Sequence, residues 1–221
     1  MNKILITLSG IDGAGKSTQL RFLRDYLESK NHKVKYLWTR GGNTPGMNLL
    51  KDILRKIAGK RLPSSGHSSK RDEMLTKPLI QKLWLTIAIF DLARIYGINI
   101  RWFMFNGYSV VCDRYIWDTL IDFKIMFPNI NIEKWLIWKI LIYITPIPYR
   151  SVLLMIPLEI SEKRCDQKYE PFPDTPERRR RRYNLYETSS HKKYWDIIDS
   201  TKTEEAVFND IINNFNSNIN I

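Results

Sequence analysis

The sequence predicts an α/β fold in which a parallel sheet of about five strands carries helices on both faces. Short apolar runs alternate with segments whose apolar residues recur at helical spacing along most of the 221 residues. This alternation favours parallel strands joined by crossover helices. Hydrophobic residues make up 43% of the chain, which is enough to bury one sizeable core. A single domain over residues 1–221 is therefore expected.

The first strand and the first helix have the clearest patterns. Lys3 to Leu8 (KILITL) is a short apolar run that stops at Ser9-Gly10, which is typical of a buried parallel strand. After a glycine-rich turn, Lys16 to Ser29 repeats leucines at helical spacing. The further predicted elements are, in chain order, a strand at 33–38, helices at 45–58, 72–96 and 98–105 with a loop at 62–70, a strand at 108–112, two helices around Pro128, a strand at 151–156, a helix from 157 to about 164, a strand at 195–199 and a helix at 203–215.

The composition excludes several classes of protein. The two cysteines, Cys112 and Cys165, form neither a disulfide framework nor a paired-cysteine zinc motif. The stretch from Trp135 to Ile147 is strongly apolar but is interrupted by Lys139, and it falls short of the roughly 18 residues that a membrane span needs. We therefore expect a cytoplasmic protein that has no structural metal and does not enter a membrane.

Positive charge exceeds negative charge in this chain. The 35 Lys and Arg against 23 Asp and Glu give a formal net charge of +12. This excess favours an anionic ligand such as nucleic acid, a membrane surface or nucleotide phosphates. The densest basic run is Arg178 to Arg182, and most of the seven tryptophans lie in apolar patterns typical of a core rather than of a base-stacking surface. A nucleic acid partner is therefore not expected.

A phosphate-binding loop is the strongest signal in the sequence. Gly10 to Ser17 (GIDGAGKS) fits G-x-x-x-x-G-K-[ST] in full and stands between an apolar strand and an amphipathic helix. Such a loop turns backbone N–H groups toward a phosphate at a helix N-terminus. Lys16 is then placed to reach the transferring phosphate, and the Ser17 hydroxyl to ligate Mg²⁺. The predicted ATP contacts are Gly10, Asp12, Gly13, Ala14, Gly15, Lys16, Ser17 and Thr18.

Charged residues follow the next two predicted strands of the same sheet. Thr39-Arg40 comes after the second strand and Asp113-Arg114-Tyr115 after the third. The carboxyl ends of parallel strands meet at one rim, where ligands of such sheets bind. Two guanidinium groups there suit a dianionic phosphate better than a neutral acceptor. An exposed loop charge at Arg40 and a strand-end ion pair at Arg114 are the alternatives.

Five segments, in this order, resemble the thymidylate kinase family of nucleoside monophosphate kinases. Gly10 to Thr18 is similar to the phosphate loop of that family, and Thr39-Arg40 to the Thr-Arg after its second strand. Asp113-Arg114-Tyr115 matches its Asp-Arg-Tyr motif. Glu177 to Tyr183 resembles the end of its lid, and Ile198 to Thr201 resembles its last strand and turn. The resemblance therefore covers nearly the whole chain.

The resemblance implies ATP-dependent phosphorylation of a nucleoside monophosphate, most directly of dTMP to dTDP in nucleotide biosynthesis, with Mg²⁺. It also implies a three-layer P-loop kinase fold with a basic helical lid at about residues 165–182. Arg40, Arg114 and Tyr115 would bind the acceptor, and Asp12 would contact its sugar. Asp113 would lie near the metal and the phosphates. The 72–96 and 133–144 helices could form a homodimer interface, as in the family, or pack internally.

The resemblance also bears on the acceptor base. The family places a phenylalanine that stacks on the base four residues before an arginine that reads the edge of the base. Phe90 and Arg94 have that spacing and share one helical face. An alignment with one gap instead places Ala88 and Leu92 at these positions, and Phe90 could equally be a core residue. A different monophosphate therefore stays open as the acceptor.

The lid is expected to supply a cation for phosphoryl transfer. Some members of the family carry an arginine within the phosphate loop, but this chain has Gly13 there. At 3.6 residues per turn, Arg178, Arg181 and Arg182 share one side of a helix, while Arg179 and Arg180 point elsewhere. We assign Arg178 and Arg181 as catalytic residues, together with Lys16, Asp113 and Arg114, while which of the lid arginines reach the phosphates stays open from the sequence.

Two alternative functions stay open from the sequence. One is a kinase of the same fold that acts on a different nucleotide or on a phosphorylated metabolite. The other is a catalytically degenerate nucleotide-binding protein. Met155 favours the second, because family members commonly end this strand with an aspartate.

Overall fold

The computed structural model describes residues 3–39, 77–166, 174–188 and 193–216. Five strands lie within these ranges: β1 Leu5–Gly10, β2 Lys33–Trp38, β3 Tyr108–Asp113, β4 Arg150–Met155 and β5 Asp196–Asp199. All neighbouring strands pair in parallel, in the spatial order β2-β3-β1-β4-β5. The α/β fold with a five-stranded parallel sheet, which the sequence predicts, is confirmed.

Helices connect the strands and cover both faces of the sheet. They are α1 Lys16–Ser29, α2 Pro78–Leu92, a π-helical segment Ala93–Asn99, α3 Ile100–Phe105, α4 Ile116–Met126, a 3-10 turn Ile132–Lys134, α5 Leu136–Ile144, α6 Leu158–Asp166, α7 Pro176–Thr188 and α8 Glu204–Asn216. The helix predicted at 45–58 and the loop predicted at 62–70 lie outside the described residues.

The strands divide the interior into two hydrophobic clusters because successive side chains point to opposite faces. Ile6 and Leu8 of β1 are buried against α1 and α8 together with Trp195. Leu5, which precedes Ile6 and points to the opposite face, lies in the other cluster with α2, α4 and α5, where Trp138 is fully buried. Both faces of β1 are therefore covered, which explains its continuous apolar sequence.

The carboxyl ends of β1, β2 and β3 meet at one rim, as predicted. Leu8 pairs in register with Asp113, and the backbone N–H of Arg114 donates to the Leu8 carbonyl at 2.8 Å. Trp38 also pairs with Asp113, and the Thr39 N–H donates to the Asp113 carbonyl at 3.1 Å. The segments that follow these three strands are therefore held together by backbone hydrogen bonds.

One continuous helical segment, Pro78–Phe105, is long and apolar enough to cross a membrane by length and composition alone. Its most apolar window has a mean hydropathy of 1.4, and 39% of that window is buried within the protein. Leu85, Ala88, Ile89 and Leu92 form the inward face of α2 and pack on the core. The core helix of a soluble protein passes the same test, so this segment does not by itself indicate a membrane protein.

Candidate active site

The turn between β1 and α1 has the backbone of a phosphate-binding loop. Gly13 and Gly15 have φ values of +78° and +87°, in the left-handed region that favours glycine. A Cβ on Gly10 would lie 2.7 Å from the Leu154 carbonyl oxygen, so this position also requires glycine. Lys16 follows at the start of α1 and donates to the Gly10 and Ile11 carbonyls at 3.1 and 2.9 Å. The loop therefore wraps around the Lys16 ammonium.

Side chains from two later elements fix the outer side of this loop. The Ser161 hydroxyl donates to the Asp12 carbonyl at 2.6 Å, and the Ser200 hydroxyl to the Ala14 carbonyl at 2.7 Å. The Arg164 guanidinium donates to the Gly13 carbonyl at 3.3 Å. These bonds to the carbonyls of three successive residues fix the backbone of the loop.

A cavity of about 330 Å³ lies beside the phosphate loop and the start of α1. Its walls come from the loop, from α1 and from the turn that follows β5. The lining residues are Gly13, Gly15, Lys16, Ser17, Thr18, Gln19, Arg164, Ser200, Lys202, Glu204 and Val207. Three of them, Lys16, Arg164 and Lys202, carry positive charge, so the cavity suits a phosphorylated ligand.

The arginine after β3 contacts the phosphate loop directly. Arg114 Nη2 lies 3.2 Å from Asp12 Oδ1, and both side chains are almost fully buried. Arg114 has φ +70°, an uncommon value for a residue other than glycine. Its carbonyl accepts a hydrogen bond from the Thr39 hydroxyl at 2.9 Å. The predicted acceptor arginine and the predicted donor loop are thus brought together.

A buried polar network continues from Arg114 to α7, the helix that contains the predicted lid arginines. Arg114 Nη1 donates to the Tyr186 hydroxyl at 3.4 Å, and that hydroxyl donates to Asp118 Oδ1. Asp118 Oδ2 accepts from the Ser9 hydroxyl at 2.6 Å and from the Tyr115 N–H at 2.9 Å. Burial raises the pKa of Asp118 above its ordinary value of 3.8, and the nearby Arg114 charge and these hydrogen bonds partly oppose the rise.

Arg40 lies outside the described residues, but its neighbour Thr39 is held next to Arg114. The Thr39 hydroxyl accepts a hydrogen bond from the buried Tyr96 hydroxyl at 3.1 Å. Tyr96 also shares a hydrogen bond with the Thr119 hydroxyl at 3.0 Å. Thr39, the last described residue before Arg40, is therefore held in place at the same rim.

Asp113 ends β3 with its side chain largely buried. The Tyr36 hydroxyl donates to Asp113 Oδ2 at 3.3 Å, and no described residue donates a hydrogen bond to Oδ1. Among the residues described, no group of three His, Cys, Asp or Glu side chains could hold a metal ion. A divalent cation here would take most of its ligands from phosphate oxygens and water, which is how Mg²⁺ is usually held beside a phosphate loop. The unpartnered Oδ1 and the Ser17 hydroxyl fit that arrangement.

The predicted grouping of the lid arginines is wrong. The buried side of α7 carries Arg179 and Arg182, whereas Arg178, Arg180 and Arg181 are exposed. Arg181 donates to the Lys124 carbonyl at 3.2 Å, on the outside of α4. The buried side is set by Tyr186, which is fully buried four residues after Arg182 and seven after Arg179. The structure thus does not bring the two arginines assigned from the sequence, Arg178 and Arg181, into the cleft.

The two buried lid arginines have different surroundings. Arg182 lies between two carboxylates, with Nη1 2.7 Å from Asp122 Oδ1 and Nε 2.8 Å from Asp174 Oδ2. Burial lowers the pKa of Arg182, but the carboxylates outweigh this and raise it, so the guanidinium stays charged. Arg179 Nη2 donates to the Asp174 carbonyl at 3.4 Å, and its Nε has no hydrogen-bond partner among the residues that the structure describes.

The predicted base-reading pair is accessible to solvent, with Phe90 on α2 and Arg94 on the π-helical segment that continues it. Phe90 is 63% exposed, and the Arg94 guanidinium is ion-paired to Asp91 at 2.8 Å. Ala88 and Leu92, the alternative pair, are buried in the core. Of the two alignments, only the one that assigns Phe90 and Arg94 leaves the assigned side chains accessible to a ligand.

Tyr115, predicted to bind the acceptor, has a core position instead. It is 2% exposed, and its ring packs against Tyr96 with 4.7 Å between the ring centroids. Its hydroxyl donates to the Pro146 carbonyl at 2.9 Å. The structure therefore does not bring the Tyr115 hydroxyl to Asp12 and Arg114.

Several residues of the site were missed by sequence reasoning. Asp118 stands three residues after the N-cap residue of α4. This spacing could have indicated a capping carboxylate. Tyr186 stands at helical spacing from Arg182, which could have identified the inner side of the lid. Asp122, Asp174, Ser161 and Ser200 carry no local signal, because their roles depend on contacts between distant segments.

Comparison with known proteins finds relatives that match nearly the whole chain. Thymidylate kinase of Plasmodium falciparum (isolate 3D7) is 27% identical over 210 residues, which cover 94% of this chain and 87% of the relative. Thymidylate kinase of Thermosipho melanesiensis is 27% identical over 215 residues, covering 94% and 95%. A third, from African swine fever virus (isolate Pig/Kenya/KEN-50/1950), is 34% identical over 120 residues, covering 54% and 43%. No protein-family model matches the chain.

The first two relatives match 94% of this chain, and the five-stranded parallel sheet agrees with the fold that the resemblance implies. Likeness in sequence and agreement in fold thus point the same way. Over more than nine tenths of its length, the chain is similar to two thymidylate kinases and to a probable thymidylate kinase of Archaeoglobus fulgidus, which is 28% identical to it.

Proposed function

We propose that the protein is an ATP-dependent nucleoside monophosphate kinase that converts dTMP to dTDP. The observation that carries this proposal is the buried contact between Arg114 and Asp12. It joins a guanidinium suited to an acceptor phosphate to the loop suited to the donor phosphates. The matched relatives are named thymidylate kinases, which supports the same function for this chain.

ATP is the proposed phosphoryl donor. Its phosphates would lie against the inner N–H groups of the loop, and the cavity toward Arg164 and Ser200 offers room for the rest of the nucleotide. Lys16 now donates to two neutral carbonyls of the loop. Phosphate oxygens are charged and are therefore stronger acceptors. Binding of ATP would turn the Lys16 ammonium from these carbonyls to the phosphates.

The acceptor phosphate would be held by Arg114 and Arg40. The Arg114 guanidinium is 3% exposed, so a phosphate that reaches it is partly shielded from water and interacts strongly with it. Thr39, the residue before Arg40, donates a hydrogen bond from its hydroxyl to the Arg114 carbonyl. Asp12 would accept a hydrogen bond from the acceptor sugar, as the resemblance implies.

In the proposed reaction an oxygen of the acceptor phosphate attacks the γ-phosphorus of ATP in line. The new P–O bond forms while the bond between the γ-phosphorus and the bridging oxygen to the β-phosphorus breaks, so the products are dTDP and ADP. The acceptor phosphate is ionised at neutral pH and needs no strong general base. The protein contributes positioning and charge stabilisation.

Arg179 is the lid cation that we propose for the transferred phosphoryl group. It lies on the buried side of α7, and its contact with the Asp174 carbonyl places it next to the residue that bonds Asp12. Its Nε has no described partner, whereas Arg182 is held by two carboxylates. A lid arginine of this kind stabilises charge on the equatorial oxygens of the transferred group. The lid, at about residues 165–182, would form part of a single domain over residues 1–221.

Mg²⁺ is the proposed metal cofactor. The Ser17 hydroxyl and Asp113 would hold it, directly or through water, together with the donor phosphates. When bound, it would neutralise charge on the β- and γ-phosphates.

Phe90 and Arg94 are the proposed contacts of the acceptor base. Both side chains are accessible, Phe90 on α2 and Arg94 on the π-helical segment that follows it. Phe90 also lies in line with the exposed Leu83, seven residues earlier, so the same ring could instead cover a protein interface. The variant Phe90→Ala separates these roles. If Phe90 contacts the base, the acceptor KM rises and the oligomeric state is unchanged. If Phe90 covers an interface, the oligomeric state changes and the acceptor KM does not.

We further propose a cytoplasmic homodimer that has no nucleic acid or membrane partner. Helices α2 and α5 expose large apolar side chains, as a protein interface does. These residues are Leu79, Leu83, Leu136, Ile140 and Tyr143. Sedimentation velocity would test the dimer, which Tyr143→Glu should dissociate.

The proposed function is tested by an ATP-coupled assay across dTMP, dUMP, UMP, CMP, AMP and GMP. We expect the highest kcat/KM with dTMP. Equal rates across the panel, no faster than ATP hydrolysis without acceptor, would contradict the proposal. Lys16→Ala and Arg114→Ala serve as the inactive references.

A further inference from the structure

A buried charge cluster joins the lid to the body of the protein. We call Asp122, Asp174 and Arg182 the Arg182 cluster. Their side chains are between 2% and 4% exposed. Asp122 belongs to α4 in the body, Arg182 to the lid helix α7, and Asp174 to the segment just before α7. The guanidinium therefore ties three separate parts of the chain together.

Asp174 makes hydrogen bonds to Arg182, Arg179 and Asp12, and the last two link it to the proposed cleft. Its carboxylate accepts from Arg182 Nε at 2.8 Å, and its carbonyl accepts from Arg179 Nη2 at 3.4 Å. Its backbone N–H donates to Asp12 Oδ2 at 3.1 Å. Asp12 thus receives Arg114 on one carboxylate oxygen and the lid on the other. The orientation of the Asp12 carboxylate depends on where Asp174 lies.

The contacts of Arg182 decide what this residue does. Its Nη1 lies 2.7 Å from Asp122 Oδ1 and its Nε lies 2.8 Å from Asp174 Oδ2. Two opposite sides of the buried guanidinium are thus engaged by carboxylates of the protein. Arg182 is therefore better suited to holding the lid than to contacting a phosphate group.

We infer that Asp174 and Arg182 are positioning residues that couple the seating of the lid to acceptor binding. Arg182 fixes Asp174 against α7, and the Asp174 N–H then orients Asp12 toward the acceptor sugar. This inference rests on the proposed function, in which Asp12 contacts that sugar. It assigns the cluster a role in acceptor affinity as well as in stability.

The test compares Asp174→Ala with Asp122→Ala in the full-length protein. Each variant removes one buried carboxylate from Arg182 and leaves it the other, so both share a similar general loss of stability. Only Asp174→Ala frees the segment that bonds Asp12. We expect it to raise the KM for dTMP about tenfold, the value of one hydrogen bond to a charged group, with the KM for ATP changed less than about twofold. In Asp122→Ala the KM for dTMP should rise less than about threefold.

A second measurement does not depend on turnover. Exchange of the residue 174 amide hydrogen, followed by NMR, should be slow in the wild type and in Asp122→Ala, and at least about tenfold faster in Asp174→Ala. Where Asp174→Ala does not fold, Asp174→Asn replaces it. Asparagine still accepts from Arg182 but lacks the charge, so a smaller rise of the dTMP KM is expected.

Two results would overturn the inference. One is an equal dTMP KM in the wild type and in the Asp174 variant, and the other is an equal change in the two alanine variants. Failure of the proposed function is distinguishable, because the wild type would then phosphorylate no monophosphate. In that event amide exchange still decides whether Arg182 positions the Asp174 N–H on Asp12.

Discussion

Asp12 and Arg114, 102 residues apart in the sequence, form a buried ion pair with 3.2 Å between Oδ1 and Nη2. The pair links the turn after β1 to the turn after β3. It places a guanidinium group, which can bind a phosphate through two hydrogen bonds, at the edge of a phosphate loop. Neither turn alone could bring these two parts together. The proposed acceptor site is built on this relationship.

Replacing Arg114 with lysine should weaken acceptor binding. Lysine keeps the charge but loses the planar fork that binds a phosphate through two parallel hydrogen bonds. We expect the dTMP KM to rise at least about tenfold with the KM for ATP nearly unchanged. Arg150→Lys is the matched control, because Arg150 is ion-paired to Asp196 at 3.0 Å at the opposite end of the sheet. An unchanged dTMP KM in Arg114→Lys would remove this residue from the acceptor site.

Replacing Lys16 with methionine should abolish most of the activity. Methionine preserves the length and the apolar stem, so the loop can still close around the side chain, but the ammonium is lost. We expect kcat to fall about a hundredfold or more, in line with the loss of one donor to the transferring group. Initial rates at saturating ATP measure this, with the exposed Lys139→Met as control. A fall of less than about twofold would contradict the role of Lys16.

Arg179 and Arg180 should differ sharply in catalysis, although they are adjacent. Arg179 is 6% exposed and lies on the buried side of α7, whereas Arg180 is exposed. We expect Arg179→Gln to lower kcat by about a thousandfold and Arg180→Gln to leave it within about twofold. Equal effects would show that no specific lid arginine reaches the transferred group.

The titration of Asp118 should make the free energy of unfolding fall as the pH rises in the acidic range. Burial holds its pKa in the folded protein above the ordinary value of 3.8. At pH values between 3.8 and the pKa of Asp118 in the folded protein, the folded state therefore binds more protons than the unfolded state. The associated stability is present below pH 3.8 and is lost as pH rises through the folded-state pKa. Urea denaturation at several pH values should show this component in the wild type and not in Asp118→Asn, and identical pH profiles would contradict it.

The sequence predicted the sheet and the phosphate loop because local patterns determine both. KILITL is apolar on both faces of a strand, and the glycines of the loop are required by its backbone angles. The meeting of Thr39 and Asp113 at one rim followed from the parallel strand order. In each case a short stretch of sequence and one rule of topology were sufficient.

The lid could not be predicted in the same way. Five consecutive arginines look alike in sequence, and apart from their spacing to Tyr186 only contacts with other segments distinguish them. Tyr186 in the core and Asp122 on α4 decide that Arg182 points inward. The outward position of Arg178 follows from the same contacts. Tyr115 differed for a similar reason, since its hydroxyl bonds the distant Pro146 carbonyl.

The central claim is that the donor loop and the acceptor arginine face one another across one cleft. A bisubstrate compound in which five phosphates join adenosine to thymidine would occupy both sides at once, and calorimetry would measure its Kd. We expect it to bind the wild type at least about tenfold more tightly than ATP, and to lose most of that advantage in Arg114→Lys. If the compound bound no better than ATP, or bound wild type and variant equally, the two phosphate sites would not share a cleft.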